Sequence, residues 1–157
     1  MHTFGGALIG LGVALGVLGL IWWFVISARR ARSEAPGIAD VAIRDGVLVV
    51  TPRGAWKVLA LAGHIEIPLR NIVGCHPDPD PCSSHPVSLR VGGTGVLGRI
   101  RAGYMRGSGE RSWWLYRYGD HAVVIDVADN PLSYLVIEVD DPDATTEMVR
   151  RAAATVA

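Results

Sequence analysis

Two cysteines and two histidines fall within eleven residues, Cys75-His-Pro-Asp-Pro-Asp-Pro-Cys-Ser-Ser-His85. Thiolates and imidazoles are the usual ligands of zinc. The spacing argues the other way: six residues separate the two cysteines, unlike a zinc knuckle, and the adjacent Cys75 and His76 have difficulty reaching one ion. Prolines at three alternate positions make the loop stiff and extended. The expectation is no metal and no other cofactor, with two reduced, partly buried thiols flanking a rigid loop. In an oxidising compartment the alternative is a disulfide between Cys75 and Cys82.

A second group is basic and aromatic. Between residues 90 and 117, Arg90, Arg99, Arg101, Arg106, Arg111 and Arg117 are opposed by Glu110 alone and interleave with Tyr104, Trp113, Trp114 and Tyr116. Arginine grips carboxylates and phosphates with two parallel hydrogen bonds, and aromatic rings insert at interfaces. Arg99, Arg101, Arg106, Trp113 and Trp114 are accordingly the candidate ligand or partner surface. The competing reading is ordinary: strand residues alternate faces, so several arginines point to solvent and others pair with the acidic C-terminal third.

Other chemistries find little support. Gly93-x-Gly95-x-x-Gly98 matches a dinucleotide-binding string, but the residues after it read as strand and no helix opens there, so the segment is taken as a flexible connection. His64, His76, His85 and His121 accompany no nucleophile elbow or paired catalytic carboxylates, and the expectation is a non-enzyme. Formal net charge is zero and no RNA-module motif is present, which argues against nucleic acid.

The elements that must position these residues divide in two. Residues 5–27 are 23 uncharged, mostly apolar residues, enough for a helix of about 34 Å to cross a bilayer. No Lys or Arg precedes them, the run is longer than a signal peptide's apolar core, and an arginine cluster follows where cleavage would be expected, so a cleaved signal peptide is disfavoured. Arg29, Arg30 and Arg32 place the C-terminal side in the cytoplasm by the positive-inside rule, and Trp22 and Trp23 suit the headgroup level. The expected location is thus the inner membrane, single-pass, with the N-terminus outside. Gly5, Gly12, Gly16 and Gly19 recur at helical spacing and suggest a face for packing against other membrane helices.

After a polar linker (28–36), short apolar runs alternate with turn signals through residues 37–157, the pattern of a mainly β domain. Asp45-Gly46 marks a hairpin between Val41–Arg44 and Val47–Thr51; further runs are Ala55–Leu61, His64–Ile67, Asn71–Cys75, Ser112–Arg117, Ala122–Val127 and Tyr134–Val139. Asp140-Asp-Pro-Asp143 then begins a terminal helix whose apolar face is Ala144, Met148, Ala152 and Val156. About seven strands and one helix predict a bent sheet or barrel capped by that helix.

Arg99-Ile-Arg-Ala-Gly-Tyr-Met-Arg106, Ser112-Trp-Trp-Leu-Tyr-Arg117, Ala122-Val-Val-Ile125 and Leu135-Val-Ile-Glu-Val-Asp-Asp-Pro142 together resemble the bacterial pleckstrin-homology-like domains found on small membrane proteins. The resemblance covers roughly residues 37–156 and implies a scaffold for protein or ligand binding, with no shared catalytic residues. Two functions are expected from it. One is an accessory or assembly subunit of a larger membrane complex, respiratory or transport, meeting membrane proteins through the helix and the domain. The other is a tethered sensor of anionic lipid or of a phosphate-bearing ligand.

Overall fold

The computed structural model describes residues 36–86, 89–96, 100–107, 109–117 and 121–156, and Pro36–Ala157 make one unit. Its elements begin with a hairpin. Strands β1 (Ala39–Arg44) and β2 (Val47–Pro52) pair antiparallel around Asp45-Gly46, both of which take positive φ, as a two-residue turn between twisted strands requires. β3 (Ile65–Pro68) adds to β2 and completes a three-stranded sheet.

The run Ala55–Leu61, expected as a strand, instead contains the short helix α1 (Trp56–Leu59). Its apolar residues do not alternate with polar ones, and Gly54 in the left-handed region turns the chain sharply just before it.

The second sheet has seven strands, in the order β4-β9-β10-β8-β7-β5 with β6 also on β7. These are β4 (Ile72–Pro77), β5 (Leu89–Arg90), β6 (Thr94–Val96), β7 (Ile100–Gly107), β8 (Glu110–Tyr116), β9 (Ala122–Val127) and β10 (Tyr134–Glu138). A short helix, α2 (Pro81–Ser84), lies between β4 and β5. β10 runs antiparallel to β9 but parallel to β8. β9 therefore stands one strand away from β8, and the chain folds back after β9 so that β10 fills the gap between them. That gap is about 9.6 Å, twice the interstrand spacing, a distance that five residues of chain can bridge.

The structure corrects two expectations. The expected arrangement was one bent sheet or barrel of about seven strands; the strands instead form a three-stranded and a seven-stranded sheet, with a parallel pair inside the larger one. The expected architecture also began with a transmembrane helix; among the described residues no helix is long and apolar enough to cross a membrane, and residues 5–27 lie outside them. The terminal helix α3 (Pro142–Val156) is too short and too polar for that task.

The seven-stranded sheet has buried side chains on both faces, so β9 and β10 read as near-continuous apolar runs rather than alternating, interrupted only by Asp126 and Glu138. One face carries Trp113, Leu115, Val123, Ile125, Leu135 and Ile137 against the small sheet (Leu48, Val50, Ile65, Ile67) and Val149 of α3. The other carries Trp114, Tyr116, Val124, Tyr134, Val136 and Met105. Asp141 caps α3, its Oδ1 accepting from Ala144 N at 2.9 Å. The buried side of α3 is Thr146 and Val149. Ala144 and Met148, expected on the inner face, line an outer groove with Ile43.

Arg53 ties the start and end of the domain together. Its guanidinium donates to Asp40 Oδ1, Asp140 Oδ2 and the Gly37 carbonyl at 2.6–2.8 Å. At the far end of β10, Glu138 is buried and accepts from the Arg117 side chain and backbone N–H, each at 2.8 Å.

Candidate functional site

The β7–β8 hairpin distributes the arginine and aromatic side chains between two faces. Register pairs share a face, so Tyr104 lies beside Trp113 and Arg106 beside Arg111, while Gly103 lies beside Trp114 and Arg101 beside Tyr116. Trp113 and Trp114 are both 0 % exposed, one in each core, and neither ring belongs to a surface. Arg101 lies over the Trp114 ring at 4.7 Å and is half-buried, a cation–π contact on the inner side. Arg99 lies outside the described residues, as do Gly5, Gly12, Gly16, Gly19, Trp22, Trp23, Arg29, Arg30 and Arg32. The alternation that scatters the arginines is visible in sequence. That both tryptophans are buried is not, because it depends on the sheet being covered twice.

What remains at the surface is a smaller cluster: Tyr104, Arg106 and Arg111. All three are exposed, and neither guanidinium has a hydrogen-bond or ion-pair partner among the described residues. Strand alternation sends Glu110 to the opposite face from Arg111. Tyr104 and Arg111 line an open groove of about 400 Å³, whose other wall is the edge strand β3 with His64, Glu66 and Ile67 and whose end is Asn130–Leu132. His64 and Glu66 face each other at 3.3 Å. At the groove's end Asn130 Oδ1 accepts from Leu132 N at 3.0 Å, which fixes the turn between β9 and β10. His64, Glu66 and Asn130 could not be joined to Tyr104 from sequence, because the two sheets meet only in three dimensions.

The cysteine loop is resolved into two environments. Cys75 points into the main core and Cys82 packs against the opposite core, so the seven-stranded sheet separates them, and both thiols are free. Burial pushes the Cys75 thiol up to about 11 and raises Cys82 for the same reason. The disulfide alternative would need the two sulfurs on one face. Because Cys75 faces one way, its neighbour His76 faces the other. There His76, Asp78 and His85 bring one ligand-type atom each within 4.8 Å of one another. Asp126 Oδ2 stands 3.7 Å from His76 Nδ1, and the His85 ring packs against Tyr134 at a 37° tilt with centroids 4.8 Å apart.

No family model, curated protein or solved structure matches this chain. Its function therefore rests on its own geometry. The groove offers the Arg111 guanidinium, a phenol and apolar strand-edge residues, with the Glu66 carboxylate on the facing wall. Arg106 stands beside Arg111 outside the groove, and the two guanidiniums together suit an anionic group held at the groove's rim.

Proposed function

We propose that this protein is a non-catalytic interaction module, an accessory or assembly subunit of a larger membrane protein complex, and that it holds an acidic segment of a partner protein across Arg106 and Arg111, at the rim of the groove between β3 and the β7–β8 hairpin. The observation that carries this reading is the outward-facing pair Arg106 and Arg111 beside the exposed Tyr104. Two like charges directly opposite each other on a sheet cost stability, and an anion lying across both guanidiniums would relieve that cost. The exposed Tyr104 ring adds apolar area of the kind enriched at interfaces. The membrane location, with this domain on the cytoplasmic side, rests on the composition of the first 32 residues alone.

The test compares full-length tagged protein with the R106E/R111E double variant after extraction from native membranes in mild detergent. A stoichiometric partner retained by the wild type and lost by the variant supports the reading. Equal retention, or wild-type protein that emerges alone, overturns it. Wild-type protein is also mixed with vesicles containing phosphatidylserine. Salt-sensitive sedimentation that needs Arg106 and Arg111, with no protein partner, would replace the subunit reading with that of an anionic-lipid sensor.

A further inference from the structure

The cluster His76, Asp78 and His85 lies on the opposite side of the large sheet from Cys75 and plays no part in the groove. We propose that these three side chains form a binding site for a divalent transition-metal ion of the zinc class. The site would pin the loop after β4 onto the aromatic face of the sheet.

Three features carry the inference. First, the donor set is right: two imidazoles and one carboxylate suit zinc and its neighbours, and leave room for water as a further ligand. Ligand atoms about 2.0–2.1 Å from a tetrahedral ion lie roughly 3.4 Å apart. His85 Nε2 and Asp78 Oδ2 are 4.0 Å apart and all three donors lie within 4.8 Å, so closure takes side-chain rotations of about 1 Å and no change of fold.

Second, the carboxylate is in an unusual position. The Asp78 side chain is 10 % exposed, and Oδ1 accepts from Asp80 N at 2.9 Å. Oδ2 faces His85 at a distance beyond hydrogen-bond length. The side chain as a whole is largely withdrawn from water, and an ion between Asp78 and the two imidazoles would give its charge a positive partner.

Third, supporting groups surround the ligands. Asp126 Oδ2, 3.7 Å from His76 Nδ1, is placed so that a small rotation would close the carboxylate–histidine arrangement that orients a ligating imidazole and favours metal at its other nitrogen. Gly74, opposite Asp126 in the β4–β9 register, makes room for this carboxylate; a Cβ there would come within 2.6 Å of Asp126 Oδ2. The Tyr134 ring packs against His85 at a 37° tilt. The ligands come from the end of β4 and from the residue after α2, so the ion would close a loop over Trp114, Tyr134 and Cys82.

The experiment uses the full chain in detergent, stripped with EDTA. Zinc is titrated by calorimetry, and cobalt by its visible absorption spectrum. The expected result is one ion per chain and a cobalt spectrum without thiolate charge transfer. H76A and H85A should each weaken binding at least about 100-fold, and D126N roughly 10-fold. C82S should bind as the wild type does. Zinc should raise the wild-type melting temperature and leave H76A unmoved; because His76 is 43 % exposed, that variant retains the fold and the comparison stays informative. Failure to bind at micromolar zinc, retention of binding in both histidine variants, or a thiolate band abolished by C82S would each overturn the proposal.

Discussion

Arg106 and Arg111 are direct register partners across β7 and β8, with both side chains exposed and on the same face as Tyr104. A cross-strand pair of like charges is a local conflict that the fold itself does not need. Replacing Arg106 with Glu turns repulsion into attraction. The variant should gain about 0.2–1 kcal/mol of stability, read as a higher urea midpoint at unchanged slope, while losing partner retention. A variant that is less stable than the wild type would show that the arginine pair serves the fold instead.

Gly93 and Gly103 meet where the segment after β5 passes over β7. Both have positive φ, and a Cβ on Gly103 would overlap the Gly92 carbonyl oxygen. Gly103→Ala should therefore cost about 2 kcal/mol or more, since strain at φ +117° adds to the overlap. Gly109 also has positive φ but open space around it, and Gly109→Ala should cost about 1 kcal/mol. Equal midpoints for the two variants would contradict the close crossing. Within the glycine-rich run, Gly93 therefore serves a close backbone crossing that the composition of the segment does not reveal.

The two thiols should behave independently. Cys75 is buried with its ionisation raised to about 11, and Cys82 is half-buried on the other side of the sheet. In native protein a thiol reagent at neutral pH should modify Cys82 first and Cys75 only on unfolding. A mild oxidant should leave both titratable. Loss of two thiols per monomer without intermolecular crosslinking would place the sulfurs together and contradict the structure.

Acid should weaken the clasp at Asp140. Hydrogen bonds from Arg53, and then from Gly37 N–H, lower this carboxyl below its ordinary 3.8. A lowered native value means that its contribution is complete above pH 3.8 and is lost as pH falls through the native value. The side chain is 55 % exposed, so solvent screening keeps the effect well under about 1 kcal/mol. Asp140→Asn should lower the urea midpoint at pH 7, and the difference from wild type should shrink below about pH 4. A constant difference across that range would remove the electrostatic explanation.

The mainly β character, the Asp45-Gly46 hairpin, the strands β8–β10 and the Asp141-capped terminal helix could be read from sequence, because each rests on a local rule of turn chemistry, run length or capping. The local pattern failed at Trp56–Leu59, where an apolar run was compatible with either strand or helix. It failed in part for α3: Ala152 of the expected face packs on the core, but the fully buried residues are Thr146 and Val149, because the inner face is decided by what the helix packs on.

Sequence by itself determined which residues carry charge, which can ligate, and that neighbours on a strand must face opposite ways. That is enough to separate Cys75 from His76 and Arg106 from Met105. Only the tertiary structure decided which of these faces meet solvent. β10 slots between β8 and β9, and both sides of the large sheet are covered, so Trp113 and Trp114 are both buried. Long-range packing likewise brings His64 to Tyr104, whereas His85, nine residues on, returns to His76 within a single loop. The physical reason is that alternation along one strand is a local property, whereas burial belongs to pairs of surfaces far apart in the chain.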